Sequence, residues 1–319
     1  MSKEFKERIP DFNEERYGFP VPEMPPVPKV AEPESHKGNW LWTHYDSTNH
    51  NYKNEDTLEP MPAPQTDIIT QQNPLKVDVF YSMRSPYSWL SLHRLTWLNS
   101  FYNCDVTIKV IFPVAVRTPA AFGGGSGHKG GGRWYKWADT VHDAARSGKF
   151  QGVPFRFADP DPVMQNHWPF ENENSGLIPP LDQQPYIAWL TRLGNAAQLE
   201  GKSLEYVNQV SPLIWGGESD FWPADVEAAV KRADIDYDAT IKDIQKNPQK
   251  YDDVWIANQD EFYKSGHGGV PCMVFRGEPF FGQDRVEQLL WRLRQNGLTE
   301  RPAPIEPIVT KPLRWPHDT

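Results

Sequence analysis

The succession strand, helix, strand between residues 76 and 112 restricts the folds open to this chain more than any other feature. Lys76-Val77-Asp78-Val79-Phe80-Tyr81 is a short apolar run of the kind that forms a strand. Pro86 then falls where a first helical turn begins, the place proline favours because its missing N–H is not needed there. From Pro86 to about Phe101, Trp89, Leu90, Leu95 and Leu98 recur at roughly helical spacing. A second strand follows over Val106-Thr107-Ile108-Lys109-Val110-Ile111-Phe112. Two strands joined through a helix imply a parallel pair with a right-handed crossover. Much later, Cys272–Phe275, a turn at Arg276-Gly277-Glu278 and Pro279–Phe281 read as a strand pair. Asp284 opens a last helix with Val286, Leu289, Leu290 and Leu293 on its apolar face. Between the two groups the spacing predicts helices over Arg133–Arg146, Gln184–Leu199, Ser203–Ile214, Pro223–Ala233, Tyr237–Lys246 and Pro248–Lys264. The expected class is α/β, a four-stranded sheet with a helical domain inserted between its halves.

The 319 residues, 38% of them apolar, suffice to bury a large core in one or two domains. A net charge of −9 without clustered Lys and Arg excludes a nucleic-acid surface, which must neutralise phosphates. Two cysteines, Cys104 and Cys272, are too few for a disulfide framework or a cysteine-rich zinc site. Met1–Arg8 has no apolar signal-like run, and no window is apolar enough to span a bilayer, so a cytoplasmic protein with no membrane partner is expected. Residues 1–75 carry Pro20, Pro22, Pro25, Pro26 and Pro28 and cannot be regular helix or central strand. They are either disordered or an extended arm; the favoured expectation is an ordered arm laid over this chain or over a partner in a homodimer, with Trp40 and Trp42 as anchors. The Pro-rich tail covers residues 299–319. The 13 tryptophans fit core packing, with an aromatic-lined substrate pocket as the alternative.

Three loops carry the chemistry. Ser85-Pro86-Tyr87-Ser88 joins the first strand to the first helix. A helix N-terminus stabilises a thiolate, and thiol–disulfide enzymes set a C-x-x-C motif there. Serine now stands at both cysteine positions, so dithiol exchange is excluded at this site. The helix end and a hydroxyl donor remain, and together they could hold the thiolate of a bound thiol; the other reading is that Ser85 only caps the helix. Gly269-Val270-Pro271-Cys272 suggests a cis-proline ahead of a strand, with the Val270 backbone open to a peptide-like ligand. Phe281-Gly282-Gln283-Asp284-Arg285 offers either an Asp284 N-cap or a site for the charged end of such a ligand.

Taken together, these motifs resemble the kappa-class glutathione transferase and 2-hydroxychromene-2-carboxylate isomerase group, in the DsbA-like branch of thioredoxin folds. The resemblance covers about residues 76–296 and includes Tyr135, Asp139 and Gly152-Val153-Pro154-Phe155. It implies a thioredoxin-like domain from 76–118 and 267–298, with 119–266 as the inserted helical domain. It implies glutathione as cofactor, with Ser85 facing its sulfur, Val270 beside cis-Pro271 pairing its cysteinyl backbone, and Gln283 and Asp284, with Arg285 next to them, at its γ-glutamyl end. It further implies isomerisation or transfer on an aromatic or apolar electrophile, with Trp134 and Tyr135 on the substrate side. A non-catalytic thioredoxin-like binding or chaperone-like protein is the alternative. The family's usual Asn and Lys for the glycyl end have no clear counterpart in Phe122–Arg133, where Lys129 or Arg133 are the available cations. Cys272 stands where the family usually has Thr.

Other patterns carry less. Gly125-Ser126-Gly127-His128-Lys129-Gly130 has G-x-G-x-x-G spacing but begins well past the strand, and suits a lid or surface loop better than a dinucleotide turn. Asp139, His142 and Asp143 share a helix face without the further ligands a metal needs. His267 suits loop packing better than acid–base work, and Cys272 suits a buried strand better than a reactive thiol.

Overall fold

The computed structural model describes residues 19–28, 68–117, 134–164, 181–267 and 269–307. Strand β1 (Leu75–Tyr81) lies at the centre of the sheet and pairs in parallel with β2 (Cys104–Val110), from Leu75 opposite Cys104 to Tyr81 opposite Val110. Helix α1 (Pro86–Phe101) makes the crossover. On its other side β1 runs antiparallel to β3 (Cys272–Phe275), and β3 runs antiparallel to β4 (Glu278–Phe281), giving the order β2-β1-β3-β4. The chain closes with a 3-10 turn (Gln283–Arg285) and a C-terminal helix (Val286–Gln295).

The two faces of the sheet follow from strand alternation. Leu75, Val77, Val79 and Tyr81 enter the main core with Leu90, Leu95, Leu289 and Leu293. Phe80 points the other way and joins Ile111, Phe262 and Cys272 in a smaller cluster. Between β2 and β3 come α2 (Val114–Arg117), α3 (Trp134–Gln151), α4 (Pro185–Leu199), α5 (Ser203–Ser211), α6 (Trp222–Arg232), α7 (Tyr237–Lys246) and α8 (Pro248–Lys264). The C-terminal helix is α9. The α/β class and the four-stranded thioredoxin-like sheet are those expected.

Local departures have local causes. Strand β2 starts at Cys104 and ends at Val110, because the ladder with β1 sets its length; Ile111 still donates to the Tyr81 carbonyl just beyond it. Helix α5 stops at Ser211 rather than Ile214: Pro212 has no N–H for the helical ladder, and a π-turn (Pro212–Gly216) ends at Gly217 with φ 76°. Helix α3 runs on to Gln151, past the expected Arg146. Of the arm, Phe19–Pro28 packs against the helical block of the same chain, with Val27 buried in the core. Trp40, Trp42 and the tail beyond 307 lie outside the described residues.

Candidate functional site

Ser85 is the N-cap of α1, in extended backbone (φ −93°, ψ 115°), with Pro86 in the first turn. Its Oγ accepts the Ser88 N–H at 3.2 Å. With a lone pair committed there, the hydroxyl proton turns outward and donates to the Val270 carbonyl at 3.4 Å, a long and therefore weak bond. The Val270–Pro271 peptide is cis, and the Pro271 carbonyl accepts from the Gly282 N–H at 2.9 Å. Among the described residues, the Val270 N–H has no hydrogen-bond acceptor. The first turn of α1 contains no acidic side chain, so nothing on that turn neutralises the positive helix end.

The cis-proline loop is braced by an aromatic pair. The His267 and Phe281 rings stack with centroids 4.0 Å apart, and His267 Nδ1 accepts the Gly269 N–H at 3.1 Å. Burial lowers the His267 pKa, which keeps the ring neutral and Nδ1 available as an acceptor. A Cβ at Gly269 would lie 2.3 Å from Phe281 Cε2, so only glycine lets the backbone pass this close to the ring. Cys272 is fully buried and desolvation raises its pKa to about 12, which makes it an inert thiol at neutral pH.

Gln283 sits in the 3-10 turn against α1 and α3. Its Oε1 accepts from Arg94 Nη2 and from Gln151 Nε2, both at 2.6 Å, and Arg94 Nη1 pairs with Glu287 at 2.6 Å. Asp284 does not cap α9, whose first turn has no side-chain cap; its carboxylate instead pairs with Arg285 at 2.7 Å, and both residues are exposed. The Asp284 Oδ1 folds back to within 2.5 Å of where a Gly282 Cβ would stand, and Gly282 itself has φ 107°. The N-cap expectation for Asp284 is therefore corrected: the 3-10 turn intervenes and carries its carboxylate away from the α9 N–H groups.

Helix α3 lies beside the start of α1. The Tyr87 hydroxyl donates to Asp143 Oδ2 at 2.7 Å, and Trp89 Nε1 donates to the Pro154 carbonyl at 2.8 Å. Asp143 thus ties two helices together, and among the described residues no group of three His, Cys, Asp or Glu could hold a metal. Trp134 and Tyr135 open α3, but their side chains, like the Gly-rich stretch with Lys129 and Arg133, lie outside the described residues. Just ahead of Ser85, the buried Arg84 forms a two-pronged pair with Asp161 at 2.8 and 2.9 Å, fixing the turn that presents the serine. Arg84, Arg94, Gln151 and Asp161 were not anticipated. The only hint for Arg94 was a lone cation in the otherwise uncharged run of α1.

A sheet of this order, a helix beginning at its first strand, a cis-proline loop facing that helix end and a helical block inserted between the halves of the sheet make up a DsbA-like thioredoxin fold. A family model described as the DSBA-like thioredoxin domain matches residues 178–294, from the helical block through β4 and into α9. No curated protein sequence matches the chain. Among solved structures, 2-hydroxychromene-2-carboxylate isomerase is similar at 22% identity over 69% of this chain and 95% of its own, with a TM-score of 0.49. A protein described as a probable DsbA oxidoreductase from Streptomyces coelicolor is similar at 16% identity over 70% of this chain and 89% of its own, with a TM-score of 0.47. Among the described residues, no helix is long and apolar enough to cross a membrane.

Proposed function

We propose that the protein is a glutathione-dependent isomerase or transferase that acts on an aromatic or apolar electrophile. One observation carries this reading: a hydroxyl replaces the thiol at an unneutralised helix end, its proton aimed at a cis-proline loop whose Val270 N–H is unpaired. The residues present suit a thiol peptide. Ser85 can exchange its long bond to Val270 for a sulfur acceptor at little cost. Val270 offers both backbone groups to an extended ligand. The Gln283 amide N–H2 and the exposed Asp284 and Arg285 lie on the turn that follows β4, where the charged γ-glutamyl end would be received. Bound glutathione would supply a nucleophilic sulfur. Ser85 and the start of α1 would favour its thiolate form over the thiol, and Trp134 and Tyr135 at the start of α3 are proposed for the substrate side. A homodimer and a cytoplasmic setting are part of the proposal.

Thermal unfolding with added glutathione tests it. At ligand tenfold above Kd the native state gains about 1.4 kcal/mol, a shift of a few degrees. S-methylglutathione, which cannot form a thiolate, should shift the transition less. Absence of any shift at millimolar glutathione overturns the reading. One observation favours a non-catalytic thioredoxin-like binding protein instead: the Ser85 hydroxyl already has a partner for its proton and another for a lone pair. That reading expects no glutathione effect at all.

A further inference from the structure

Residues 19–28, Phe-Pro-Val-Pro-Glu-Met-Pro-Pro-Val-Pro, form no helix or strand, yet their burial is periodic. Pro20, Glu23 and Pro26 are exposed, and every residue between and beside them is partly or fully covered. A period of three is that of the polyproline II helix, three residues per turn with no internal hydrogen bonds. The two covered columns are Phe19, Pro22, Pro25 and Pro28 on one side and Val21, Met24 and Val27 on the other. Each column is wholly apolar and meets the helical block: Phe19, Val21 and Met24 pack against the core and Val27 enters it.

The backbone of the segment is also read. A polyproline helix leaves its carbonyls unpaired, so a receptor must donate to them. The Phe19 carbonyl accepts from the Tyr186 hydroxyl at 3.3 Å, and the Glu23 carbonyl from Gln245 Nε2 at 2.9 Å. Arg192 donates to the carbonyls of Pro25 and Pro26. This arginine is fully buried, and Asp252 fixes its fork by accepting from Nε at 3.0 Å and Nη2 at 2.8 Å. Among the described residues Nη1 has no other acceptor, and Nη2 shares its two N–H groups between Asp252 and Pro26, so the arm completes the hydrogen bonding of a buried ion pair. Residues 19–22 line an open pocket of about 340 Å³ together with Trp189, Pro223, Glu227 and Tyr237.

We propose that the helical block carries a peptide-binding site selective for polyproline II segments with prolines three residues apart, and that residues 19–28 occupy it as a tethered ligand of the same chain. Affinity resides in the ten docked residues, in the carbonyl donors and in the two apolar columns.

The test keeps the full chain and inserts a specific protease site between residues 29 and 67. After cleavage, the N-terminal fragment should remain with the body through native size-exclusion chromatography. A synthetic peptide of residues 19–28 should displace it with increasing dose, and a peptide of the same composition in scrambled order should not. In the cleaved protein Met24→Glu, which puts a charge in a covered column, should weaken retention about tenfold or more. Glu23→Lys, in the exposed column, should leave retention unchanged. Loss of the wild-type fragment on cleavage, equal displacement by the scrambled peptide, or equal effects of Met24→Glu and Glu23→Lys would each overturn the proposal. None of these readouts involves glutathione.

Discussion

Replacing Ser85 with alanine separates two contributions that meet in one oxygen. The substitution removes the acceptor of the Ser88 N–H and the donor to Val270. Losing an N-cap costs about 1 kcal/mol, within a range of about 0.5–2. The upper part of that range applies, because Ser88 is fully buried and water cannot reach its N–H. The bond to Val270, at 3.4 Å, adds little. Ser85→Ala should therefore lower stability by about 1–2 kcal/mol, and Tm by about 1.5 °C per kcal/mol in a chain of this size. Urea unfolding followed by circular dichroism should show a lower midpoint with an unchanged slope. Ser85→Asp gives the complementary case. A carboxylate still accepts the Ser88 N–H and suits the helix end, so most of the stability should return. It has no proton for a sulfur and repels a thiolate, so stabilisation by glutathione should vanish. An Ser85→Ala protein that unfolds with the wild type would refute the capping argument. An Ser85→Asp protein that glutathione still stabilises to the wild-type extent would refute the thiolate argument.

Three further outcomes are expected. A Cβ at Gly194 would stand 2.6 Å from Val110 Cγ2 and 3.1 Å from Tyr206 Cε1, so Gly194→Ala should destabilise by about 1–3 kcal/mol, less the ~1 kcal/mol gained in helix propensity; denaturant melts should show part of the loss restored in the Gly194→Ala, Val110→Ala double variant. Burial lowers the pKa values of His93 and His267 from 6.5, so below that pH the unfolded chain binds protons that the native chain does not. Stability should accordingly fall as pH drops through and below 6.5, and replacing both residues with glutamine should flatten that limb of the urea midpoint profile. Cys104 and Cys272 are both buried, and burial raises both thiols, so iodoacetamide at neutral pH should label neither in the native protein and both after unfolding.

Elements that carry a local signal were legible in the sequence. Pro86, Pro185 and Pro248 open helices because proline tolerates a first turn and little else in a helix, and the apolar runs of β1 and β3 can be buried only within a sheet. Boundaries set by a partner were not legible. The ends of β2 depend on β1, and α5 stops where Pro212 breaks its ladder although Leu213 and Ile214 continue the apolar pattern. An extended arm was legible in the prolines, but which of its residues dock was not, because strands and helices give patterns of period 2 and 3.6, whereas the burial of residues 19–28 has a period of three. In the candidate site, the cap at Ser85 and the cis-proline at Val270–Pro271 were legible, because one motif suffices for each. The site was not legible where side chains far apart in sequence meet: Tyr87 and Asp143 are 56 residues apart, Gln151 and Gln283 132 apart, and Arg94 and Glu287 193 apart.

For Ser85 the structure changes the question that the sequence poses. Capping and thiolate binding looked like rivals for one hydroxyl, but in this geometry the cap is compatible with the proposed thiolate role, because it leaves the proton free to be donated. A serine rotor free in solvent would aim its proton anywhere. At Ser85 the Ser88 N–H engages a lone pair at 3.2 Å, and the proton is left to point across the gap toward Val270. The Arg84–Asp161 pair fixes the turn that leads into that cap, and the Tyr87–Asp143 bond holds α3 beside it. A helix cap built this firmly, yet with its proton spent on a 3.4 Å contact, is a donor positioned ahead of need. A sulfur in the gap would meet that donor already oriented, without the entropy of freezing a side chain. Under the proposed function, alanine at Ser85 costs stability and thiolate binding together, whereas aspartate costs the second alone.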